Sequence, residues 1–111
     1  MLLKNKNILI TGAGKGIGEE LVKSALDSGA FVYALIKSKS DNRKFQKNKN
    51  LKIYNGNVKN INLINKILKA SVKEDKKINC LINNAGVRFR KKFLKVKKNE
   101  IKNVFDVNFF S

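Results

Sequence analysis

The tightest constraint on this chain lies near its start. Thr11-Gly12-Ala13-Gly14-Lys15-Gly16-Ile17-Gly18 follows the apolar run Ile8-Leu9-Ile10 and precedes residues whose apolar positions repeat with helical period. Glycines let a chain turn sharply out of a strand and bring its backbone against a ligand. A helix that begins there presents free N–H groups and the positive end of its dipole. Strand, glycine loop and helix in that order form a cradle for a pyrophosphate, and they set the N-terminal segment as a β-α unit.

Spacing separates the kinds of glycine loop. The dinucleotide pattern G-x-G-x-x-G would need a glycine at position 17, where Ile17 stands, and no pair of glycines five apart is followed by Lys-Ser or Lys-Thr as in a triphosphate loop. What is met is T-G-x-x-x-G-x-G, by Thr11, Gly12, Gly16 and Gly18. This resembles the short-chain dehydrogenase/reductase family, which uses that spacing for NAD(P). A second stretch, Asn79-Cys80-Leu81-Ile82-Asn83-Asn84-Ala85-Gly86, is similar to the family's N-N-A-G signature at the end of its fourth strand. A third, Asp106-Val107-Asn108, lies where the family places a structural and catalytic asparagine. The three motifs occur in the family's order and cover essentially the whole chain.

The elements alternate along the chain. A strand at residues 7–11 precedes a helix at 16–28, with Ile17, Leu21, Val22, Ala25 and Leu26 expected to face inward. Residues 31–36 form a continuous apolar run, as in a strand covered on both faces. A polar stretch with a short helix leads to a third strand at 51–54. Asn60 is placed to cap a helix whose Ile61, Ile64, Leu68 and Val72 repeat at helical spacing. A fourth strand spans 78–83, and a final helix begins near Lys98. Alternation of this kind implies right-handed crossovers and a parallel sheet with helices on both faces. With the family's order it becomes a Rossmann-type α/β fold of about four strands, 3-2-1-4, whose ligand crevice lies between the first and fourth strands at their carboxyl ends.

Composition bounds the remainder. With 111 residues, 42% of them hydrophobic, the chain is one domain or part of one. No apolar stretch of about 18 residues occurs, and the start is too quickly polar for a secretory signal. A single cysteine, Cys80 in an expected buried strand, fits a reducing cytoplasm and a core role. The absence of histidine removes the commonest metal ligand and the usual general base, so no metal site is expected. The net charge of +17 raises nucleic acid as a partner, since lysines that neutralise phosphates release counterions. The lysines, however, are scattered among asparagines, with clusters only at 37–49 and 88–98. Phe45, Phe89 and Phe93 lack the interleaving of a single-strand binder. Nucleic acid is therefore disfavoured; the resemblance implies another partner for the second cluster, an acidic acyl carrier protein, as for some reductases of the family.

The resemblance implies a set of cofactor contacts. The loop residues Thr11, Gly12, Gly14, Lys15, Gly16, Ile17 and Gly18 would hold the pyrophosphate. Asn83 and Asn84 would hold the central strands together and shape the floor beneath the cofactor, and Asn84, Ala85 and Gly86 would contact it. Folds of this kind that prefer NAD carry an acid about 20 residues past the loop, on the ribose hydroxyls. Here Leu35, Ile36, Lys37 and Ser38 occupy those positions, and Lys37 with Lys15 would instead meet a 2′-phosphate. NADPH is thus expected over NADH. Asn57, followed by Val58, stands where the family has an acid against the adenine amine, and its amide oxygen retains an acceptor without the charge.

Hydride transfer needs a proton donor for the developing alkoxide. In the family this is a tyrosine with a lysine four residues later on a helix, preceded by a serine, all of them after the helix that carries Asn108. Tyr33-Ala34-Leu35-Ile36-Lys37 matches Tyr-x-x-x-Lys as text only. On a helix those side chains would be about 6 Å apart, but along a strand they are about 13 Å apart. The chain reads as the N-terminal, cofactor-binding part of an oxidoreductase of small carbonyls and alcohols, in a family that is usually homo-oligomeric. On this reading the C-terminal half with the catalytic Tyr and Lys is expected to be missing and the chain to be inactive alone; the other reading is a non-catalytic nucleotide-binding remnant or interaction partner.

Overall fold

In the computed structural model of the protein the described residues are 2–85. They form β1 (Asn7–Thr11), α1 (Gly16–Asp27), β2 (Phe31–Ile36), a 3-10 helix at Lys39–Lys44, β3 (Leu51–Asn55), α2 (Ile61–Lys73) and β4 (Cys80–Ile82). All strand pairings are parallel, and the order is β3-β2-β1-β4. Ile10 lies opposite Ala34 on one side and Ile82 on the other. The final expected helix, the 88–98 cluster, Gly86 and Asn108 lie outside the described residues.

Alternation along the strands divides the core in two. Ile8, Ile10, Val32, Ala34 and Ile36 point to one face, where Val22 and Ala25 of α1 close the cluster. Leu9, Tyr33 and Leu35 point to the other and meet Ile67 of α2. Burial on both faces explains why β1 and β2 read as unbroken apolar runs rather than as alternating ones. Tyr33 is fully buried in the second of these clusters, and its hydroxyl donates to Glu74 Oε2 at 3.1 Å. Burial, reinforced by that carboxylate, pushes the phenol above its ordinary range. Glu74 also pairs with Lys52 of β3, which holds its carboxyl below the usual carboxylate value.

Three expectations need correction. Ile17 is 73% exposed in the first turn of α1, and Gly18, Val22 and Ala25 form the buried part of that helix. The stripe that α2 buries holds Ile67 and Ser71, with Leu63 and Ile64 partly buried, while Ile61, Leu68 and Val72 are exposed. Apolar residues surround more than one face of α2, so period alone does not choose the face; docking onto Leu9, Tyr33 and Leu35 does. Ser71 tolerates burial because its hydroxyl donates to the Leu68 carbonyl at 2.7 Å. Asn60 caps α2 as expected, its side chain accepting from Leu63 N at 3.1 Å. Cys80, finally, is exposed rather than buried. Among the described residues β4 is an edge strand of three residues, and only its Ile82 reaches a core cluster.

Candidate functional site

The carboxyl ends of the strands carry both motifs to one place, and a threonine joins them. Thr11 ends β1 almost fully buried, and its hydroxyl accepts from the backbone N–H groups of Asn84 and Ala85, each at 3.0 Å. The same hydroxyl donates to Asn83 Oδ1 at 3.2 Å, and Asn84 Nδ2 donates to the Gly12 carbonyl at 3.2 Å. Thr11 thereby ties the glycine loop to the segment after β4 from behind, rather than lining the crevice itself.

The loop approaches that segment as closely as a backbone without a side chain permits. Gly12 has φ +62°, and a Cβ there would come within 2.9 Å of Ala85 Cα. At Gly18, one turn into α1, a Cβ would run into the Gly12 carbonyl oxygen. Lys15 precedes α1 in extended conformation with no side-chain cap on the helix, so the first-turn N–H groups stay available to an anion.

A cleft of roughly 710 Å³ opens beside the loop, within the range of cofactor sites. Of the residues expected from the sequence, Gly12, Gly14, Lys15, Lys37, Asn57, Val58, Asn84 and Ala85 line it. Gly16, Ile17 and Gly18 belong to the turn and first turn of α1 beside it, Thr11 lies behind it, and Gly86 and Asn108 lie outside the described residues. Lys15 and Lys37 are both exposed. Apolar Leu35 and Val58 share the cleft with these cations and the glycine backbone. That lining suits a flat base together with phosphates, so the residues present fit the adenosine diphosphate part of a dinucleotide.

Sequence reasoning left Leu35, Ser38, Gly56 and Asp41 out of the lining set. Asp41 is the most consequential, because it puts a carboxylate in a wall expected to hold none. It sits in the 3-10 helix, past the end of β2, and no signal at the strand terminus points to it. Asn42 and Asn55 fix that helix by exchanging two side-chain hydrogen bonds of 2.9 Å, and Asn55 also donates to the Ile36 carbonyl. Asn57 has local work besides the cleft: its Oδ1 accepts from Lys59 N at 2.9 Å, an Asx turn leading into α2.

The Tyr33 to Lys37 match is ruled out as a catalytic pair. Tyr33 is buried on the α2 face of β2, bonded to Glu74, while Lys37 lies beyond the strand and exposed. Among the described residues no cluster of metal-ligating side chains occurs, and no helix is long and apolar enough to cross a membrane.

Comparison with known proteins agrees with this geometry. A family model described as short chain dehydrogenase matches residues 6–111. An uncharacterised oxidoreductase of Saccharomyces cerevisiae is 30% identical over 111 residues, covering 96% of this chain and 44% of that protein. A 1,2-dihydroxy-1,2-dihydronaphthalene dehydrogenase of Pseudomonas putida is 34% identical over 82 residues, 72% of this chain and 32% of its own length. Among solved structures, a short chain dehydrogenase from Bacillus anthracis superposes with a TM-score of 0.86 at 23% identity, over 95% of this chain and 46% of that one. The chain thus spans less than half the length of the relatives it matches.

Proposed function

The chain belongs to the short chain dehydrogenase family, and from that premise we propose that it forms the NADP(H)-binding part of an oxidoreductase acting on a small carbonyl or alcohol. The observation that carries this reading is one cleft lined at once by the glycine loop, Lys15 and Lys37. The loop backbone and the start of α1 take the pyrophosphate, and the two lysines take a phosphate on the adenosine ribose. Bound NADPH supplies the hydride. This chain's residues orient it: Thr11, through Asn84 and Ala85, holds the floor of the crevice against the loop.

Neither tyrosine of this chain fits the proton donor that the family uses. Tyr33 is committed to the core, and Tyr54 has Val58 four positions on. Asn108 is proposed as the one catalytic residue within this chain, with the acid and the carbonyl-positioning group supplied by other residues of the enzyme.

Calorimetric titration of the chain with NADPH and NADH tests the reading. NADPH is expected to bind at least tenfold more tightly, with an affinity that falls as salt rises. Lys15→Ala together with Lys37→Ala should bring NADPH to the level of NADH. Tighter NADH binding overturns the preference, and binding of neither dinucleotide overturns the nucleotide site.

A further inference from the structure

We propose that Lys44 is a positioning residue for cofactor selection: by neutralising Asp41 it lets the cleft wall accept a second phosphate, and this rests on the NADP(H) reading above. Asp41 is buried to 9% exposure and lines the cleft beside Lys37 and Ser38. Its carboxylate lies against the glycine loop, so closely that a Cβ on Gly14 would come within 3.0 Å of Oδ2. An unpaired carboxylate there would repel a 2′-phosphate and favour ribose hydroxyls, the reverse of what Lys15 and Lys37 offer.

Lys44 resolves the conflict without lining the cleft. Three residues along a 3-10 helix is one full turn, which stacks Lys44 over Asp41. Its ammonium lies 3.2 Å from Asp41 Oδ1 and donates to the Gly14 carbonyl at 2.8 Å. Glu19 Oε1 is farther, at 3.6 Å, and Glu19 already accepts from Lys23 at 2.8 Å through its other oxygen. Glu19 is thus chiefly served by Lys23, and the charge of Lys44 goes mainly to Asp41. The same ammonium keeps the loop and the 3-10 helix together.

Two probes that differ only in the 2′-phosphate separate the electrostatic role from a merely structural one. These are adenosine 2′,5′-bisphosphate and adenosine 5′-monophosphate, titrated calorimetrically into the full chain. Lys44→Met is expected to weaken the bisphosphate roughly tenfold, the scale of one charge interaction near a surface, and the monophosphate by less than about threefold. Lys44→Arg should retain the preference, and adding Asp41→Asn to Lys44→Met should restore it. Equal weakening of both nucleotides, or of neither, overturns the inference while leaving the NADP(H) reading standing. Should Lys44→Met not fold, Asp41→Asn alone decides: it is expected to hold or raise the preference for bisphosphate, and a fall overturns the inference. Equal binding of both nucleotides by the unaltered chain overturns the reading beneath it, and the inference with it.

Discussion

A hydroxyl has one proton to donate and two lone pairs to accept with, and Thr11 uses all three. It accepts from Asn84 N and Ala85 N and donates to Asn83 Oδ1. Thr11→Val keeps the volume and removes every one of these bonds, leaving two backbone N–H groups without their acceptor. The expected loss is about 2–4 kcal/mol in urea unfolding, with Thr11→Ser close to neutral. A Val variant as stable as the parent would show that solvent satisfies those N–H groups. Sequence alone marks Thr11 as part of the glycine motif but not what it holds, because its partners lie 73 and 74 positions on. Asp41 escapes for a related reason: a short 3-10 helix returns it to the loop, and nothing local in the sequence specifies that return. Lys15 and Lys37, by contrast, are evident because strand and loop termini fix where they must stand.

Strands were the most readable elements, and α2 was the least. The apolar run at β2 has the observed bounds Phe31–Ile36, since a strand covered on both faces admits no polar residue. In α2 the existence of the helix and its Asn60 cap follow from sequence, whereas its buried face is set by tertiary docking. Ile67→Ala is therefore expected to cost about 2–4 kcal/mol, because Ile67 is fully buried against Leu9, Tyr33 and Leu35. Ile61→Ala, at a position 71% exposed, should stay within about 0.5 kcal/mol. Chemical denaturation of the two variants checks the register, and a reversed order would return α2 to the face its periodicity first suggested. β4 was legible as a strand but not in its exposure, because an edge is a property of the sheet and not of the segment.

Over the whole molecule, 25 basic side chains face 8 acidic ones, so each paired carboxylate matters to how the fold tolerates acid. Glu74, bonded to Lys52 and Tyr33, and Glu19, bonded to Lys23, are both held below the ordinary value of 4.5. A depressed carboxylate contributes stability that is complete above that value and drains away as pH falls through its folded pKa. Melting temperature should thus decline from pH 6 to pH 3. Glu74→Gln is expected to melt lower at pH 6 and to decline less steeply; parallel curves would remove Glu74 from that role. The parallel order β3-β2-β1-β4 has a kinetic side as well. β1 meets β2 after one short crossover, but the Thr11 bonds close only when a segment more than 70 residues away arrives. Closing so long a loop carries an entropic cost, so these bonds are expected to form late in folding. A nucleotide that binds this crevice as proposed, and not the unfolded chain, would draw the population toward the folded form by mass action, which would make the cofactor a participant in folding as well.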